Sequence, residues 1–153
     1  MSQVNYALAG AATVAVGVLA YYLLKPKGKK VPLKSVELTV ESKHIDFLKE
    51  MIAKYKIKDL EKAMRIVVQY AMSDGDKDLI YKTTRCKTCG GKKAKTGLKT
   101  KLYLPQYQHL EEMMAGYKIK DINKTARVLL EYCQVDGNQD VIFSTTRCKT
   151  CGP

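Results

Sequence analysis

Residues 55–59 read YKIKD, and residues 117–121 read YKIKD again. Residues 83–90 read TTRCKTCG, and residues 145–152 repeat it. Both pairs share one offset of 62 positions, and extending outward from them aligns residues 36–90 on residues 98–152 without a gap. Lys62, Arg65, Tyr70, Asp74, Gly75, Asp78 and Ile80 recur as Lys124, Arg127, Tyr132, Asp136, Gly137, Asp140 and Ile142. A duplication of this length fixes the organisation before any local propensity is consulted. The chain carries two copies of one small unit, joined by the flexible basic segment GGKKAKTG at residues 90–97.

Each copy reads in the same order. A short alternating run comes first, VELTV at 36–40 and LKTKLYL at 98–104, which predicts a half-buried strand. With Val36, Leu38 and Val40 inward, the outward set is Glu37 and Thr39 from one copy and Lys99, Lys101 and Tyr103 from the other. Phe47, Leu48, Met51, Ile52 and Tyr55 then recur at helical spacing, matched by Leu110, Met113, Met114 and Tyr117. YKIKD breaks this helix, with Asp59 or Asp121 at the start of the next. The second helix carries Leu60, Met64, Val67, Val68 and Ala71 in one copy, and Ile122, Ala126, Leu129, Leu130 and Cys133 in the other. Asp-Gly at 74–75 and 136–137 ends it.

Strand, helix, turn and helix over residues 35–73 and 98–135 resembles the ribbon-helix-helix family. The resemblance implies that the two strands pair antiparallel and the second helices pack together. One copy of about 55 residues is too small to bury its apolar face alone. The duplication lets one chain supply both halves as an intramolecular pseudo-dimer. The resemblance also implies DNA binding through the outward strand residues, as the alternative function.

The formal charge is +12, but ten lysines carry most of it: Lys25, Lys27, Lys29, Lys30 and Lys34 after the N-terminal segment, and Lys92, Lys93, Lys95, Lys99 and Lys101 around the joint. The repeat units themselves are close to neutral. The global charge therefore does not report a basic face spread over them.

Residues 1–24 contain no charged side chain, and Tyr6–Leu24 is almost wholly apolar. A helix of that length spans roughly 28 Å, near the thickness of a bilayer core. The sequence thus predicts a transmembrane anchor over 1–24 and a basic juxtamembrane linker over 25–35. Repeat 1 follows over 36–90, a basic linker over 91–97 and repeat 2 over 98–153. The expected fold class is mainly α with a short β-ribbon, a transmembrane helix preceding the pseudo-dimer. The lysines after the apolar run place the soluble part in the cytosol or an equivalent reducing compartment, with an organelle outer membrane among the candidates. The lipid bilayer is then one partner.

Cys86-Lys87-Thr88-Cys89-Gly90 and Cys148-Lys149-Thr150-Cys151-Gly152 are the sharpest chemical signal. Such turns resemble the knuckles of zinc ribbons and rubredoxins, in which two knuckles make one four-thiolate site. Cys86, Cys89, Cys148 and Cys151 are accordingly the candidate metal ligands. Zinc is the first choice and iron the second. Disulfides and redox-active dithiols are the competing readings. Cys133 falls at a helical core position, and His44 and His109 are expected at the surface rather than as ligands.

No nucleophile-base pattern, metalloprotease motif or phosphate-binding glycine loop occurs, so no catalytic residue is assigned and no enzymatic role is expected. The function expected first is a membrane-tethered interaction or assembly module with a structural metal site, engaging a protein partner in preference to nucleic acid.

Overall fold

The computed structural model describes residues 31–84 and 94–146. In chain order these form β1 (Leu33–Glu41), α1 (Ser42–Tyr55), α2 (Leu60–Ser73) and a single wide helical turn at Leu79–Thr83. The second copy follows with β2 (Lys95–Tyr103), α3 (Leu104–Gly116), α4 (Ile122–Val135) and a second wide turn at Val141–Thr145.

Local chemistry explains the helix breaks. In each YKIKD motif the lysine after the tyrosine adopts a left-handed backbone, with φ 51° at Lys56 and 50° at Lys118. This turns the chain out of the first helix. Three residues on, the Asp59 and Asp121 carboxylates accept the backbone N–H of Lys62 and Lys124, each at 2.7 Å. These are N-caps that start α2 and α4. Gly75 and Gly137 follow the second helices at positions where a side chain would force its neighbours to shift. A Cβ on either would lie 2.8 Å from the Cδ1 of Ile80 or Ile142.

β1 and β2 pair antiparallel, from Leu33 opposite Tyr103 to Glu41 opposite Lys95. The ribbon is thus longer than the alternating runs that announced it, reaching Leu33 and Lys95 inside the two basic segments. Glu37 faces Lys99, its own equivalent in the other copy. The local twofold axis relating the repeats therefore passes through that pair. Leu38, Val40, Leu98 and Leu102 point inward and are buried, as the alternation requires. They meet the buried stripes of α2 (Met64, Val67, Val68, Ala71) and α4 (Ala126, Leu129, Leu130, Cys133). Tyr70 and Tyr132, again equivalent positions, stack at 6.4 Å with an interplanar angle of 14°.

The two copies exchange parts. Phe143, in the second wide turn, packs on Phe47 and Tyr55 of the first copy at 5.9 and 5.7 Å between ring centroids. Its equivalent Tyr81 packs on His109 and Tyr117 of the second copy at 6.3 and 5.6 Å. Arg65 donates to the carbonyl of Lys101 at 3.0 Å, and Arg127 to that of Thr39 at 2.8 Å. Each buried aromatic contributes on the order of 1.5–3 kcal/mol of apolar burial. Neither copy completes its core without the other.

Two expectations are corrected. The fold class, the membrane keywords and the single-pass localisation all required a spanning helix. Among the described residues, no helix is long and apolar enough to cross a membrane. The described helices have 13 or 14 residues, about 20 Å at 1.5 Å per residue against a bilayer core of about 30 Å, and each has a polar face. The stretch 6–24 on which the anchor expectation rested lies outside the described residues. The histidines expected at the surface are instead buried, His44 fully and His109 nearly so.

Candidate functional site

Period-two alternation turns one face of the ribbon to the helices and leaves the other open. On the open face, Ser35, Glu37, Lys95, Gly97, Lys99 and Lys101 are exposed, and Thr39 and Tyr103 are half-buried. Lys34 lies on the opposite parity, its ammonium 3.3 Å from the centre of the Tyr107 ring. The outer face thus presents Lys95, Lys99 and Lys101 against one exposed acid, Glu37, which stands opposite Lys99.

The first turns of α2 and α4 flank this face. Glu61 shares a shallow cleft with Ser35, Glu37, Lys99 and Lys101. Asn123, its equivalent in the other copy, accepts the backbone N–H of Thr39 at 2.9 Å. Lys62 and Lys124 lie in these first turns, and the exposed Lys58 and Lys120 precede them. Two helix N-termini with adjacent lysines therefore border a lysine-bearing ribbon, an arrangement that attracts anions from both flanks.

A second polar cluster sits where β1 runs into α1. The Nε2 of His44 lies 3.0 Å from the Glu131 carboxylate, on α4 of the other copy. Lys43 also binds Glu131, and its ammonium is 3.7 Å from the Glu41 carboxylate. The ligand atoms of Glu41, His44 and Glu131 all lie within 4.8 Å of one another, and all three residues are buried. Burial pulls the His44 pKa below its usual value, only partly offset by the Glu131 hydrogen bond. Burial pushes Glu131 upward, but Lys43 and His44 outweigh it and hold the carboxyl below the usual range. Among the described residues this is the group with donors suited to a metal ion. Sequence reading passed over Glu41 and Glu131 and placed His44 at the surface. The missed signal was divergence within the duplication: the equivalent positions are Tyr103, Gln106 and Gln69.

A third cluster lies under the first wide turn. Tyr81 is fully buried, and its hydroxyl has no hydrogen-bond partner among the described residues; the same holds for the Nε2 of His109. Burial pushes the Tyr81 hydroxyl and the nearby Cys133 thiol strongly upward, so both stay protonated at neutral pH. The equivalents of Tyr81, His109 and Cys133 are Phe143, Phe47 and Ala71, an entirely apolar set.

The candidate metal ligands Cys86, Cys89, Cys148 and Cys151 lie outside the described residues. Cys133 is a buried free thiol in the core, where its helical position put it. No family model, no curated protein and no solved structure matches this chain.

Proposed function

We propose that the paired repeats form a nucleic-acid-binding module that lays its ribbon along the major groove of duplex DNA. The observation carrying this reading is the open ribbon face, with exposed Lys95, Lys99 and Lys101 set against one exposed strand acid, Glu37, the other, Glu41, being buried. Nine-residue strands give a ribbon of about 30 Å, and a two-stranded ribbon fits a groove about 12 Å wide. Glu37 faces Lys99, and the acid opposite Lys95, Glu41, is buried, so the exposed charge of this face is predominantly positive. The flanking helix N-termini supply phosphate contacts on either side.

The test is fluorescence anisotropy of the full chain with labelled duplex over a salt series. Affinity should fall steeply with salt, and Lys101→Gln should weaken binding and flatten the log–log slope by about one unit. Absence of salt-dependent duplex binding, or unchanged binding after Lys95, Lys99 and Lys101 are all replaced by Gln, overturns the reading.

A second reading, a protein interaction and assembly module, rests on a different observation. Val31, Leu33 and Leu104 are exposed at one end of the ribbon, at 49, 52 and 38%, and the Leu104 N–H donates to the carbonyl of Pro32. This reading predicts concentration-dependent association in light scattering that is abolished by Leu33→Lys with Leu104→Lys. The zinc site of Cys86, Cys89, Cys148 and Cys151 stands as a proposal beside either reading. Metal analysis of the purified chain, with Cys86→Ser against Cys133→Ala, tests it.

A further inference from the structure

Glu41, Lys43, His44 and Glu131 meet at the junction of β1 and α1. The twofold-related corner carries Tyr103, Pro105, Gln106 and Gln69. That second corner shows what the fold itself needs. The Gln106 carbonyl oxygen accepts the backbone N–H of Tyr103 at 3.1 Å, and its amide donates to the carbonyl of Arg65 at 3.0 Å. A neutral glutamine satisfies the corner. The charged set at the first corner is therefore not required by the architecture, although burying charge is costly.

Three further features bear on what the charged set holds. His44 is fully buried, with its Nε2 turned to the Glu131 carboxylate. Among the described residues, the cation beside both carboxylates is the Lys43 ammonium, on a side chain that is 38% exposed. A cleft of about 400 Å³, lined by Glu41, Ser42, Lys43 and Ala94, opens beside it.

We propose that Glu41, His44 and Glu131 form a binding site for a divalent transition-metal ion, with Lys43 occupying the cation position when no metal is bound. One imidazole and two carboxylates suit Zn²⁺, Co²⁺ or Ni²⁺, whereas Mg²⁺ and Ca²⁺ prefer oxygen ligands alone. Ligands bound at about 2.0–2.2 Å to one ion sit about 3.3 Å apart. The present separations, up to 4.8 Å, must therefore close by about 1.5 Å as Lys43 leaves. His44 and Glu41 belong to the first copy and Glu131 to the second, so the ion ties the two copies together at one end of the ribbon. The site uses none of the cysteines, and the proposal is independent of the nucleic-acid reading.

Calorimetric titration of the metal-stripped full chain with CoCl₂ tests this. The glutamine variants copy the residues of the twofold-related corner and so leave the fold intact. His44→Gln and Glu131→Gln should each bind one cobalt ion fewer per chain than the wild type. Cobalt should also raise the melting temperature of the wild type more than that of either variant. Lys43→Met should tighten binding at this site by tenfold or more, since the competing cation is gone. Equal stoichiometry in the wild type and both glutamine variants overturns the site. Unchanged affinity in Lys43→Met overturns the role given to the lysine.

Discussion

Glu37 stands directly opposite Lys99, and the two are the same position of the two repeats. A symmetric pairing of either copy with itself would place like charges across the axis. Opposite charges at directly paired positions stabilise, and like charges destabilise, by about 0.2–1 kcal/mol. The pair therefore favours pairing of one repeat with the other over pairing of either repeat with its own kind. Lys99→Glu and Glu37→Lys should each lower stability in urea by about 0.5–1 kcal/mol. The double swap should recover most of the loss, and a double-mutant cycle without coupling would refute this account.

Tyr55 donates its hydroxyl to Asp140, and Tyr117 donates to Asp78 at 2.5 Å, so the same hydrogen bond is made twice across the copies. The bond holds the Tyr117 hydroxyl well above its usual range, pushed up to about 12. Hydrogen bonds to charged groups contribute more than neutral ones, but these lie at the surface. Tyr55→Phe and Tyr117→Phe should each cost roughly 1 kcal/mol. The two losses should be similar, as read from urea midpoints at constant m-value.

Tyr81 offers the opposite case, a buried hydroxyl without a partner among the described residues. Its equivalent is Phe143. Removing an unsatisfied buried group of unchanged shape relieves a desolvation penalty of about 1–3 kcal/mol. Tyr81→Phe should therefore be neutral or stabilising, whereas Phe143→Tyr should destabilise. Thermal unfolding of both variants separates them, and a clear loss of stability in Tyr81→Phe would show that the hydroxyl is in use.

The buried histidines set a pH dependence. Burial lowers the pKa of both His44 and His109, with Lys77 adding to the effect at His109. The unfolded chain then binds more protons than the folded one below the ordinary histidine pKa of about 6.5. Stability should therefore fall as pH drops from about 6.5 towards the lowered folded values. Glu131 titrates below the usual carboxyl range when folded, so its contribution is lost in the same direction at lower pH. His44→Gln with His109→Phe should flatten the histidine part of the profile, measured as urea midpoints from pH 7.5 to 5. An unchanged slope would count against it.

The duplication, the order of strand and helices, the helix starts at Asp59 and Asp121 and the inward strand residues were all legible in the chain. They depend on local periodicity and on side chains reaching only a few residues along the backbone. Repetition also made one copy a check on the other. Lys99 and Lys101 of the outer ribbon face were legible for the same reason, because alternation alone assigns a face, whereas Lys95 fell in the stretch read as linker.

Tertiary structure decided the rest. Glu131 reads as one polar residue of an amphipathic helix until folding brings it to His44, 87 positions away. A surface histidine and a buried one look alike in sequence, since the face that covers His44 belongs to the other repeat. The exchange of Tyr81 and Phe143 between copies is equally silent in the chain, because pattern records which residues are apolar and not which copy receives them. Sequence thus fixed what each unit is made of. Long-range packing, which satisfies or strands buried polar groups according to what the partner copy offers, fixed where the chemistry gathers.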